Sequence, residues 1–188
     1  ITGTGVASDG KTASLLNPDS GGQVRAVRQA WEEAELDPRQ DGVLGLLEAH
    51  GTATPAGDGA ELSTIAEVFG GPNGSDRSVV GSVKSMIGHT MPAAGVAGLV
   101  KAALSVYHGV LPPTLHCDEP NPALENTRFT TVDTARSWET RADQPVRRAA
   151  VNAFGFGGIN AHVVLEQGKS RPVEVVEPER VLRLAARN

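Results

Sequence analysis

Apolar and polar positions change rhythm several times along this chain, and each change predicts an element. The opening ITGTGVASDGKT alternates β-branched with small residues and then meets a Gly/Asp turn signal, which predicts a strand followed by a loop. Between Gly22 and Leu36, Val24, Val27, Trp31 and Ala34 recur at helical spacing, while Arg25, Arg28, Glu32, Glu33 and Glu35 fill the other side. That is an amphipathic helix, ended by LDPRQDG. Val43 to Ala49 is a short, almost wholly apolar run between turn signals, the pattern of a strand covered on both faces in a parallel sheet. His50 stands at its C-terminal end. Asp58, with Glu61 three residues on, predicts an N-cap of the capping-box kind and a helix from Gly59 to Phe69. Ser78 to Val83 predicts another strand, with Lys84 at its end.

From about Pro92 to His108 the chain is rich in small residues and apolar nearly all round, which predicts a helix inside a core. VLPPTLHCDEPNP is too rich in proline for regular structure. A short strand is expected around Arg128 to Val132, and then two strands hinged at glycines, Ala149 to Phe154 and Asn160 to Glu166. Leaving aside the short Arg128 strand, the order βαβαβαββ implies an α/β fold with a mostly parallel, helix-covered sheet. Residues 1–168 read as one domain and 169–188 as the start of a linker, because QGKSRPVEVVEPE is polar and RVLRLAARN begins an apolar run that goes no further.

Composition narrows the function. The formal net charge of −5 leaves no diffuse basic surface for a phosphate backbone, so nucleic acid is not an expected partner. No apolar run is long enough to span a bilayer and no signal-peptide pattern opens the chain, so no membrane association and a cytoplasmic location are expected. The single cysteine, Cys117, excludes an internal disulfide framework and a cysteine-rich zinc site. No metal is expected.

Three polar residues share one structural address. His50, Lys84 and His89 each follow a predicted buried strand, on the side of an open α/β sheet where ligands usually bind. His50 is either a histidine that satisfies a strand end or part of a site. Thr52 and Thr54, two apart on an extended loop, present hydroxyls on one side for a polar chain, or else form local turns. His89 precedes a helix whose positive end disfavours an imidazolium, leaving a neutral ring that donates an N–H to an oxyanion or merely caps the helix. Lys84 needs a partner: Glu48, Asp58, or a histidine that it positions; otherwise it snorkels. The GFGG turn frees backbone N–H groups, with Phe156 as a movable wall, although a hairpin also uses glycines there. His108, His116 and His162 are assigned no chemistry. Cys117 lies beside Asp118 and Glu119, which raise a thiol pKa and argue against a nucleophile.

EAHGTATPAGDGAE, GSVKSMIGHTMPAAGVAGLVKAALSVYHGVLPPTLH and VNAFGFGGINAHVVLE, in this order and spacing, resemble the C-terminal half of the β-ketoacyl synthase (ketosynthase) domains of polyketide synthases. The resemblance runs from about Ile1 to Glu166. It implies a thiolase-like fold in which this chain is one βαβαββ half of an αβαβα sandwich with a mostly parallel mixed sheet. It implies that His50 and His89 polarise the thioester carbonyl of a malonyl-type extender for decarboxylation, that Lys84 organises the pair, and that Thr52 and Thr54 hold a phosphopantetheine arm. Phe156 resembles the gating aromatic, and its backbone N–H resembles a member of the oxyanion hole. No cofactor is bound directly; phosphopantetheine arrives on an acyl carrier protein.

The family's nucleophilic cysteine lies in an elbow of the N-terminal half, and nothing in this sequence matches it, so the chain alone is expected to be inactive. The expected partners are that N-terminal half, the acyl carrier protein, and a second copy of the full domain in a homodimer. The abrupt first strand and RVLRLAARN favour a piece of a multidomain synthase, with a split enzyme as the other form. FGFGG and PNPALENTRF look closer to iterative synthases of the enediyne and polyunsaturated fatty acid type than to most modular ones. Two other readings stay open: a non-catalytic thiolase-like partner or dimerisation module, and a module that only binds pantetheine.

Overall fold

The structure is a computed structural model that describes residues 1–10, 18–72, 77–155 and 157–168. The predicted linker at 169–188 lies outside the described residues. Strand β1 (Gly3–Ser8) leads to helix α1 (Ser20–Glu33), strand β2 (Leu46–Glu48), helix α2 (Pro55–Phe69) and strand β3 (Ser78–Gly81). One helical turn, α3 (Lys84–Ile87), and a 3-10 turn (Met91–Ala93) precede helix α4 (Ala94–His108). Short strands β4 (Val110–Leu111), β5 (Phe129–Thr130) and β6 (Arg136–Ser137) precede the long hairpin of β7 (Arg148–Phe154) and β8 (Ile159–Glu166).

The main sheet has the order β1-β8-β7-β2-β3-β5, with β4 and β6 forming a small ribbon of their own. β7, β2, β3 and β5 run parallel to one another, while β8 is antiparallel to both β7 and β1. The expected mixed, mostly parallel α/β sheet is therefore present. Helices α1 and α2 cover one face, where Val27, Trp31, Leu47, Ile65, Phe69, Phe129 and Val164 form a closed core. α1 lies so close over β1 that a Cβ on Gly5 would stand 1.9 Å from the Ala26 carbonyl oxygen, so only glycine fits. Helix α4 covers the other face, over Leu46, Ala149 and Val151.

Three sequence expectations are corrected. Helix α2 begins at Pro55, four residues before Gly59, because the Thr54 hydroxyl accepts the Gly57 N–H and Pro55 takes the first helical position. Asp58 is therefore inside the first turn and is not the cap. Strand β3 stops at Gly81, so Lys84 opens a helical turn instead of ending a strand. Helix α4 is only half-covered: Ala94, Gly98, Ala102, Ser105 and Val106 face the sheet, whereas Val96, Val100, Leu104 and Tyr107 stand exposed. Among the described residues one sheet face is all that α4 has to pack on, so an all-round apolar helix keeps a bare side. Met86, Ile87, Val100 and Leu104 line a groove of about 630 Å³ along that side. Among the described residues no helix is long and apolar enough to cross a membrane.

Candidate functional site

The site is built where β2 and β3 end. The ladder between them stops at Glu48 and Gly81, and both chains leave the sheet at its C-terminal edge. His50 leaves first, and its backbone N–H and that of Gly51 donate to the buried Glu61 carboxylate at 2.8 and 2.9 Å. Gly51 and Ala53 then take left-handed backbone conformations, at φ 48° and 58°, which turns the loop back toward α2.

The imidazoles of His50 and His89 face each other edge to face, with ring centroids 5.8 Å apart and planes at 84°. Phe154 stands 6.1 Å from the His50 ring and closes its inner side. Burial, and then the positive charges of Lys84 and His89, push the His50 pKa down to about 4, so its ring is neutral at neutral pH. His89 is exposed and accepts the Met91 N–H on Nδ1 at 3.0 Å. A ring that accepts on Nδ1 carries its proton on Nε2, so His89 both caps the 3-10 turn and presents an N–H donor.

Lys84 settles between the alternatives that its sequence left open. Its Nζ donates to the His50 backbone carbonyl. Glu48 is instead paired with Lys101, and Asp58 accepts the Ala53 N–H. Burial lowers the Lys84 pKa, opposed by the negative charges of Glu61 and Glu48. The Thr52 and Thr54 hydroxyls lie 3.4 Å apart on the α2 approach, with Thr54 also serving as the helix cap. The neutral His50 ring and the Nε2–H of His89, beside a partly desolvated ammonium, form an arrangement able to stabilise negative charge on a carbonyl oxygen.

Phe156 lies outside the described residues. His108 packs edge to face with Tyr107, and Cys117 has its thiol pKa raised by burial and by Asp118, which agrees with the reading against a nucleophile.

Sequence reasoning missed the polar chain behind the site. Trp31 Nε1 donates to His162 Nε2 at 3.1 Å, and His162 Nδ1 meets Asn152 Oδ1 at 2.6 Å. Asn152 Nδ2 then donates to Glu61 Oε1 at 2.8 Å. Burial holds His162 neutral, with a pKa of about 3. A neutral ring that accepts from Trp31 must donate from Nδ1, so every polar atom on this path has its partner. The available signal was register: Asn152 and His162 face each other across the hairpin, each between apolar residues.

Comparison with known proteins adds the following. Residues 1–118 match the family model described as "Beta-ketoacyl synthase, C-terminal domain", and residues 120–188 match "Ketoacyl-synthetase C-terminal extension". The chain is 41% identical over 188 residues to fusarielin synthase FSL1 of Gibberella zeae, covering 92% of this chain and 7% of that protein. It is 42% identical to a mycocerosic acid synthase-like polyketide synthase of Mycolicibacterium smegmatis, covering 93% of this chain and 8% of that protein. It thus spans less than a tenth of either relative. Among solved structures it resembles the oxazolomycin ketosynthase domain OzmH KS7 of Streptomyces albus, with TM-score 0.83 and 38% identity over 93% of this chain and 31% of that one. The ketosynthase from module 6 of the bacillaene synthase of Bacillus subtilis gives TM-score 0.81 and 38% identity, over 90% of this chain and 32% of the other.

Proposed function

The chain belongs to the β-ketoacyl synthase family, as the C-terminal half of a ketosynthase of the polyketide synthase type with a thiolase-like fold, and on that premise we propose that it supplies the decarboxylation side of a condensing enzyme. The observation that carries the reading is the facing pair of imidazoles, with His50 held neutral and Lys84 bonded to the His50 carbonyl.

In this reading a malonyl-type thioester on a carrier protein places its carbonyl oxygen between His50 and His89, which donate hydrogen bonds to it. The carbon–carbon bond to the carboxylate breaks, carbon dioxide leaves, and its electron pair becomes the enolate that the two donors stabilise. The enolate carbon attacks an acyl group held as a cysteine thioester. A new carbon–carbon bond forms, the carbon–sulfur bond breaks, and the cysteine departs as a thiolate. Lys84 keeps the His50 loop in place and, by its charge, keeps the ring unprotonated. Thr52 and Thr54 receive the phosphopantetheine arm, and Phe156 gates the site and lends a backbone N–H.

Cys117 is not the acceptor, so the nucleophile comes from the N-terminal half of the ketosynthase. The chain spans 31–32% of the solved ketosynthases, which leaves ample polypeptide to cover the bare side of α4. Isolated, the chain is expected to be inactive. The decisive experiment combines the full chain with the cysteine-bearing half and malonyl carrier protein, and follows release of carbon dioxide. His50→Ala and His89→Ala are each expected to reduce kcat by about 100-fold or more, the effect of deleting an oxyanion donor. Undiminished decarboxylation in both variants overturns the assignment.

A further inference from the structure

We infer that the buried Glu48–Lys101 pair is a positioning device for the turn that carries Lys84, an inference that rests on the ketosynthase reading above. Glu48 is the last residue of β2 and only 1% exposed. Its Oε2 accepts Lys101 Nζ from α4 at 2.8 Å, and its Oε1 accepts the backbone N–H of Val83 at 2.5 Å. Both oxygens are thereby engaged.

Val83 stands between the end of β3 at Gly81 and the start of α3 at Lys84, beyond the sheet ladder. The carboxylate supplies its N–H with a partner. The Val83 carbonyl in turn accepts the N–H groups of Met86 and Ile87, at 2.9 and 3.1 Å. Holding Val83 therefore holds the whole turn, and the turn aims Lys84 at the His50 carbonyl. Helix α4 reaches the carboxylate because residue 98 is glycine: a Cβ there would stand 3.0 Å from Glu48 Cγ.

Stability alone does not call for this arrangement. A buried ion pair is commonly replaceable by apolar residues of similar volume without loss, and the neighbouring core of Leu46, Ala102 and Val151 is apolar. A carboxylate that reaches a backbone donor one residue before Lys84 does something that a leucine cannot.

The charged and titratable groups involved are few. Glu48 faces Lys101 from α4 and Lys84 from α3; burial pushes its pKa up, and Lys101 is the first influence holding it down. Lys84 faces Glu61 from α2 and Glu48 from β2, with the His50 and His89 rings beside it.

The test uses two variants and two readouts. In the full chain combined with the cysteine-bearing half, Glu48→Gln is expected to lower kcat for malonyl decarboxylation about tenfold with little change in KM, as a small misplacement of a reacting group does. In the full chain alone, carbon-13 NMR of the Lys84 side chain is expected to show titration at a lower pH in Glu48→Gln, because a charge that favours the ammonium is gone. Lys101→Met leaves Glu48 without its counter-ion, so its carboxyl takes up a proton more readily. As pH falls, activity should then be lost at a higher pH than in the wild type, and it should recover as pH rises, a dependence that a packing defect does not produce. If Glu48→Gln does not fold, the pH profile of Lys101→Met decides. A Glu48→Gln chain with unchanged kcat and unchanged Lys84 titration, or losses that track only the unfolded fraction, overturns the inference. If the wild type itself fails to decarboxylate, the ketosynthase reading fails, and the Lys84 titration still decides the positioning role.

Discussion

The two faces of the central sheet solve the same problem in opposite ways. The α1/α2 face is closed: Trp31, Phe69 and Phe129 stack edge to face, and the polar groups that cross it, from Trp31 to Glu61, are joined by hydrogen bonds with no cation among them. The α4 face is open: its single helix turns Val100 and Leu104 outward, and the polar group beneath it is an ion pair. A hydrogen-bonded chain without a cation suits a site sealed within this polypeptide, because every donor and acceptor is supplied locally. The bare apolar side of α4 suits a face that another polypeptide completes. Each face also carries one carboxylate that grips backbone next to a site residue: Glu61 at His50, and Glu48 one residue before Lys84.

The contrast can be broken most severely on the closed face. Trp31→Ala empties a core position that is 1% exposed and strips His162 of its donor, so a loss of about 5 kcal/mol is expected, read as the shift in a urea unfolding curve. Acid acts on the same face. His162 has a folded pKa of about 3 against 6.5 when free, so the unfolded chain binds the proton first as pH falls. The stability that comes from keeping this ring neutral is complete above about pH 6.5 and is lost progressively toward pH 3, by roughly 4 kcal/mol. A His162→Gln variant should flatten that limb of Tm against pH.

Smaller changes sharpen the contrast. Thr54→Ala removes the α2 cap at about 1 kcal/mol, while Thr54→Ser retains it; if Thr54 also holds pantetheine, KM for the carrier-bound substrate rises in the alanine variant beyond what the unfolded fraction explains. On the open face, Leu104→Glu should change the stability of the chain by only about 0.5 kcal/mol, because the side chain is already half-exposed. The same substitution should abolish association with the cysteine-bearing half, seen by gel filtration or calorimetry. A large loss of stability in the isolated chain would show that α4 packs outward on its own polypeptide.

The sequence made the site's location legible and left its scaffolding mostly hidden. Apolar runs bounded by turn residues placed His50 at the exit of β2, since that pattern is local and follows from two-sided burial, whereas Lys84 opens the helical turn after β3 instead of ending the strand. The start of α2 was misplaced because Thr54 and Asp58 are both good caps; Pro55, a first-position signal, decides between them. The coverage of α4 was overestimated because composition reports what a helix could bury, whereas exposure depends on which surfaces are present. Glu48, Glu61, Lys101, Asn152 and His162 owe their roles to partners distant in sequence: Glu48 and Lys101 are 53 residues apart, and Asn152 and Glu61 are 91. Asn152 and His162 alone could have been paired beforehand, as polar residues opposite each other in one hairpin.

The hydrogen bond from Trp31 to His162 gives the chain an optical window on its own site. Indole emission responds to what its N–H donates to, and Trp31 stands at the far end of a bonded path that reaches the His50 loop. With Trp138 replaced by phenylalanine, Trp31 is the only indole left in the sequence. Its fluorescence should then follow protonation of His162, and any shift of Glu61 that accompanies loading of the site, with no label attached.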